Sequence, residues 1–119
     1  MNILVAEDDK VLSAMMCGVL RDGGHVCVPA FDAMPALMNV MKSSPDVVLL
    51  DVNMPGGTGV SALRKLKASS KTSFVPVIVI SGSIDPELPA QVLALGAVQF
   101  LSKPLDPELL LQAVLSAVR

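Results

Sequence analysis

The sequence predicts an α/β fold, a parallel sheet of five strands wound on both faces by five helices. Short apolar runs alternate with longer stretches of helical period, five times in succession. The runs, above all Val47-Val48-Leu49-Leu50, are apolar without a break, as strands covered on both faces are. The length of 119 residues suits one domain with a substantial core.

Ile3-Leu4-Val5-Ala6 reads as a central strand and runs directly into three acids, Glu7-Asp8-Asp9. From Lys10 the period becomes helical. Leu12, Met15, Met16, Val19 and Leu20 are expected inside, Asp9 caps the start, and Gly23-Gly24 stops the helix. His25 to Ala30 holds Val26 and Val28, a short strand that Pro29 assigns to a sheet edge. His25 has no acidic or Cys neighbour and is read as structural. Asp32 caps a second helix with Pro35 in its first turn and Leu37, Met38 and Met41 as the expected inner face. Ser43-Ser44-Pro45 ends it.

The third strand, Val47 to Leu50, organises the chain. It ends in Asp51, and Pro55, Gly56, Gly57 and Gly59 then let the backbone turn. Val60, Leu63 and Leu66 mark a third helix, with Arg64, Lys65 and Lys67 expected outward. Ser69 to Ser73 is a polar loop. Val77 to Ile80 is a fourth strand, ending in Ser81-Gly82-Ser83. A fourth helix is expected within Asp85 to Leu95, its start delayed by Pro86 and Pro89 and its end set by Gly96. Val98 to Leu101 is a fifth strand, followed by Ser102-Lys103-Pro104. Asp106-Pro107 opens a last helix that runs to Arg119.

Of the two common doubly wound orders, 2-1-3-4-5, the flavodoxin-like one, suits five strands. It sets the carboxyl ends of strands one and three side by side, where open parallel sheets bind their ligands.

Composition narrows the function. Phe supplies all three aromatic residues, so the core is aliphatic, with seven Met for adaptable packing. No apolar run approaches a membrane span, and no basic region precedes Ile3, so a cytoplasmic protein without membrane contact is expected. The formal charge of −2 and the absence of a basic stripe argue against direct nucleic-acid binding. Cys17 and Cys27 share no metal-ligand spacing and are expected to be reduced, buried thiols.

The predicted order gathers Glu7, Asp8 and Asp51 in one crevice. Three carboxylates repel one another unless protonated or neutralised by a cation, and hard oxygen ligands suit Mg²⁺. The backbone carbonyl of Asn53 can add an oxygen. The fourth strand brings Ser81 to the same edge and the fifth brings Lys103. Metal, lysine and hydroxyl can together hold three oxygens of a phosphoryl group on Asp51.

These residues carry a family resemblance. A strand followed by Glu7-Asp8, Asp51-Val52-Asn53-Met54-Pro55 with Gly59 beyond, Ser81-Gly82, and Phe100-Leu101-Ser102-Lys103-Pro104 resemble the receiver domain of two-component response regulators. The likeness covers the whole chain in order. It implies Asp51 as phosphoacceptor, and Glu7, Asp8, Asp51 and the Asn53 carbonyl as the Mg²⁺ site, with Asp8 a direct ligand and Glu7 acting through water. It further implies Ser81 and Phe100 as switch residues, Lys103 as the invariant lysine, and a cis peptide before Pro104. Gly82 departs from the more usual Ala and should loosen the fourth loop. Val98-Gln99 replaces a commonly acidic pair, and the charges that pair one large subfamily through the last two helices are not evident.

The implied function is a phosphoryl-accepting signalling domain rather than a turnover enzyme. A histidine kinase or histidine phosphotransfer protein is the expected donor, and an output domain or effector the expected reader. Residues 1–119 are read as one such domain, consistent with a piece of a longer response regulator. Two rivals fit less well. A Mg²⁺-dependent phosphohydrolase with an Asp nucleophile, of the kind resembling haloacid dehalogenases, wants a second Asp where Asn53 stands. A flavin-binding protein of the same topology would meet repulsion from Glu7-Asp8-Asp9. In the last helix the polar residues Glu108, Gln112, Ser116 and Arg119 form one narrow stripe. Leu110, Val114 and Ala117 are expected inward, leaving Leu111, Leu115 and Val118 as a strip for a homodimer or an output partner.

Overall fold

The computed structural model describes residues 1–54 and 59–118. Strands and helices alternate as β1 (Asn2–Ala6), α1 (Lys10–Asp22), β2 (Val26–Ala30), α2 (Ala33–Ser43), β3 (Val47–Asp51), α3 (Gly59–Ala68), β4 (Val77–Ser81), α4 (Leu88–Ala94), β5 (Gln99–Ser102) and α5 (Pro107–Ala117). The strands form one parallel sheet in the order β2-β1-β3-β4-β5, as the sequence predicts. The turn residues Pro55, Gly56 and Gly57 and the helix end at Arg119 lie outside the described residues.

The unbroken apolar runs follow from the pleat. Successive side chains leave a strand on opposite faces, and here both faces are covered. Ile3, Val5, Leu49, Ile78 and Ile80 meet Met16 and Leu20 of α1 and Leu110 and Val114 of α5. Leu4, Ala6, Val48, Leu50 and Val79 meet Ala36 and Val40 of α2, Leu63 of α3 and Val92 of α4. The predicted caps are made. Asp9 Oδ1 accepts from the backbone N–H groups of Val11 and Leu12 at 3.0 and 3.1 Å. Asp106 Oδ1 accepts from Glu108 at 2.8 Å, with Pro107 in the first turn. Each cap contributes ~1 kcal/mol. The Lys103–Pro104 peptide is cis.

Several expected faces are turned. In α1 the buried residues are Ser13, Met16, Cys17 and Leu20, and Met15 is exposed. In α2 the sheet is met by Ala33, Ala36 and Val40, with Leu37 half-buried, whereas Met38 and Met41 face solvent. Small residues let this helix lie close to the sheet. In α3, Lys67 is half-buried rather than on the solvated face. Its Nζ donates to the carbonyls of Ser73 and Val75 at 3.0 and 2.8 Å, and burial lowers its pKa. In α5, Ala113 joins Leu110 and Val114 inside and Ala117 is half-buried. Leu111 packs on the core, so the expected strip is reduced to Leu115 and Val118.

The two cysteines are buried as expected but are not free thiols. Cys17 of α1 and Cys27 of β2 form a disulfide, with Cα atoms 5.5 Å apart. The packing of α1 on β2 brings them together, which their spacing in sequence does not reveal. His25 Nδ1 lies 3.3 Å from the amino group of Met1.

Candidate functional site

Five of the predicted site residues sit at or just past the carboxyl end of a strand. Glu7 and Asp8 follow β1, Asp51 ends β3, Ser81 ends β4, and Lys103 follows β5. The register fixes their relative heights, since Asp51 pairs with Ile80, one residue before Ser81, and Ser81 pairs with Ser102, one residue before Lys103. The backbone N–H of Lys103 donates to the Ser81 carbonyl at 2.9 Å, tying the two loops.

The structure brings the three acids together. Carboxylate oxygens of Glu7, Asp8 and Asp51 lie within 4.8 Å of one another, with Glu7 and Asp51 buried and Asp8 exposed at the mouth. Lys103 Nζ lies 2.7 Å from Glu7 Oε1 and 3.4 Å from Asp51 Oδ2. The remaining oxygens are held by backbone. Asn53 N–H donates to Asp51 Oδ1 at 3.0 Å, and Asp9 N–H donates to Glu7 Oε2 at 3.2 Å. The Asp9 contact is one the sequence did not suggest, because nothing in three adjacent acids says which backbone group will turn back on which side chain.

Electrostatics follow from burial and proximity. Burial pushes the Glu7 carboxyl up to about 7. The Lys103 ammonium and the Asp9 N–H oppose that rise, and the Asp51 carboxylate adds to it. At Lys103 burial works against the charge, but Glu7 and Asp51 outweigh it, so its pKa is raised. With Glu7 ionised, three carboxylates against one ammonium leave two negative charges uncompensated. One hard divalent cation cancels them, and the all-oxygen donor set fits such an ion.

Ser81 is buried, and its Oγ accepts the Ser83 N–H at 2.9 Å. Phe100 is half-buried on β5, opposite Val79, and packs on the core beneath α4. Asn53 is exposed, two residues past Asp51. Gly59 lies against the end of β3. A Cβ there would fall 2.2 Å from Val52 Cα and 2.6 Å from the Asp51 carbonyl oxygen, so only glycine lets α3 start against the end of β3.

Comparison with known proteins identifies the family. Residues 3–115 match the model of the response regulator receiver domain. The chain is 32% identical over 118 residues to the phosphate regulon transcriptional regulatory protein PhoB of Escherichia coli (strain K12), covering 99% of this chain and 52% of PhoB. It is 34% identical to the DNA-binding response regulator MtrA of Mycobacterium leprae (strain TN), covering 99% of this chain and 51% of MtrA. The chain thus spans about half the length of these relatives. Among solved structures, the chemotaxis response regulator CheY4 of Vibrio cholerae superposes with a TM-score of 0.90 at 30% identity, covering 98% of this chain and 97% of that one. By sequence and by fold, the chain belongs to the receiver domains of two-component response regulators.

Proposed function

We propose that Asp51 accepts a phosphoryl group from a phosphohistidine and that the new charge switches a partner-binding surface. The observation that carries this reading is the Asp51 carboxylate at the end of β3, with Lys103 Nζ 3.4 Å from Oδ2 and two further acids within 4.8 Å. A carboxylate oxygen of Asp51 attacks phosphorus in line. The P–N bond to the donor imidazole breaks and its electron pair stays on that nitrogen; the ring leaves as neutral imidazole when its other nitrogen is already protonated, and otherwise as imidazolate that takes a proton from water. Asn53 N–H holds Oδ1 and so orients the nucleophile. Lys103 moves from its shared position between Glu7 and Asp51 onto a phosphoryl oxygen.

Mg²⁺ suits the donor set. Asp8 and Asp51 would hold it directly, with the Asn53 carbonyl, and Glu7 through water, and it would supply positive charge to the phosphoryl oxygens. Ser81 then exchanges its bond from Ser83 N–H for one donated to the phosphoryl group, and Phe100 repacks with it, a local charge event biasing a two-state surface. The acids that argue against a flavin phosphate and the Asn in place of a second Asp leave the rival readings without support.

The donor is a histidine kinase or phosphotransfer protein and the reader an output domain or effector, in the cytoplasm. The domain promotes its own phosphorylation and dephosphorylation without other turnover. Leu115 and Val118, exposed on α5, are assigned to homodimer contact. Sedimentation of Leu115→Glu/Val118→Glu against wild type tests that contact, and unchanged association of the folded variant refutes it. The function itself is tested with a phosphohistidine donor carrying labelled phosphate. Label should move to the chain as a hydroxylamine-labile acyl phosphate. Label that stays on the donor, or resists hydroxylamine on the chain, contradicts the reading.

A further inference from the structure

We propose that the face formed by α2 and α3 docks an acidic amphipathic helix of a partner protein. Met34, Met38 and Met41 are spaced by four and three, which puts them on one flank of α2. They are 56%, 62% and 57% exposed. The core does not need them, since α2 meets the sheet through Ala33, Ala36 and Val40. Three large apolar side chains in one stripe exceed the scattered exposure that is ordinary on a surface.

The stripe borders a groove. Between α2 and α3 a hollow of about 210 Å³ is lined by the three methionines and Lys65, with Leu37 and Leu66. It adjoins a broader, shallower depression over Pro35, Met38 and Met41. A groove of this kind receives the apolar face of a helix, whose side chains recur at i, i+3, i+4 and i+7. Methionine, unbranched and polarisable, adapts to such side chains without a close prior fit.

Charge selects the partner. Positions 33–45 and 59–84 contain Lys42, Arg64, Lys65, Lys67 and Lys71 and no Asp or Glu, although acids outnumber bases in the chain. Lys67 is turned onto backbone carbonyls, Lys65 and Lys42 line the two hollows, and Arg64 and Lys71 are exposed. A second copy seated by two-fold symmetry would set these basic rims against each other, which like-charge repulsion opposes. A helix with apolar residues on one face and Glu or Asp beside them satisfies both features.

The test uses the 119-residue chain and two fluorescein-labelled helical peptides with Leu at i, i+3, i+4 and i+7. One carries Glu at the flanking positions and the other Lys. Fluorescence anisotropy should show binding of the Glu peptide, weakening as salt rises, and little binding of the Lys peptide. Amide shifts in wild type should localise to α2 and α3. Met38→Gln/Met41→Gln and Lys65→Glu should each weaken binding about tenfold or more with the thermal melt retained. Equal binding of both peptides, a footprint elsewhere, or unchanged affinity in the folded variants overturns the proposal. So does self-association lost in the methionine variant, or binding to phosphatidylglycerol vesicles without binding to the Glu peptide. Should a variant not fold, the wild-type footprint and the contrast between the peptides decide.

Discussion

Lys103 Nζ is closer to Glu7 Oε1, at 2.7 Å, than to Asp51 Oδ2, at 3.4 Å. One ammonium therefore serves two buried carboxylates, and Glu7 remains up at about 7 because burial outweighs that pairing. Glu7 holds its proton more tightly in the folded chain than in the unfolded one, where the ordinary value is 4.5. In chelator-treated protein its contribution to stability is complete below that value and is lost as pH rises through about 7. Over this window wild type should lose a few kcal/mol relative to Glu7→Gln. Urea titrations at a series of pH values measure it, and parallel curves for the two proteins would show that Glu7 ionises normally.

Gly82 and Gly59 should respond to Ala in opposite ways. A Cβ at Gly82 would meet Lys103 Cβ and Cδ at 3.8 Å, an ordinary contact. Gly82→Ala should therefore be neutral or gain ~0.4–1 kcal/mol through a stiffer unfolded chain. Gly59→Ala drives a methyl into the backbone of Asp51 and Val52 and should cost ~1–3 kcal/mol or more. Denaturant unfolding of both variants checks the pair. Equal effects would contradict the packing described around β3.

Lys67 and Lys65 are neighbours in composition but not in role. Lys67→Ala leaves the carbonyls of Ser73 and Val75 without their charged donor and should cost about 1–3 kcal/mol. Lys65→Ala should change stability by less than about 0.5 kcal/mol. The same unfolding assay distinguishes them, and a Lys67→Ala protein as stable as wild type would return Lys67 to the solvent.

Asp8 lies exposed at the mouth of the acidic cluster. Asp8→Asn should weaken Mg²⁺ binding by roughly tenfold or more, read by calorimetry, while the fold is kept. Lys103→Ala should keep metal binding and slow phosphoryl transfer by about 10²-fold, as the proposed contact of the lysine with the phosphoryl oxygens requires. Equal Mg²⁺ affinity in wild type and Asp8→Asn would remove Asp8 from the site.

The sheet and the acidic cluster were legible because each depends on features local in sequence. Val47 to Leu50 and Val77 to Ile80 are apolar throughout because both faces are covered, and Asp51, Ser81 and Lys103 each stand where such a run stops. Helix faces were less legible. Hydrophobicity ranks Met38 and Met41 above Ala36, but close approach to the sheet favours the smaller side chain. Lys67 looks like a surface residue until its long stem is seen to carry the ammonium back to Ser73 and Val75. The Cys17–Cys27 bond depends on how α1 lies on β2, a tertiary relation that a separation of ten positions does not encode locally.

The central claim is that Asp51 receives the phosphoryl group. Incubation with acetyl phosphate and Mg²⁺, followed by intact-mass measurement and peptide mapping, addresses it most directly. Wild type should gain one phosphoryl mass, located on the peptide bearing Asp51, and Asp51→Asn should gain none. A phosphoryl group retained by the folded Asp51→Asn chain, or mapped in wild type to another residue, would contradict the account.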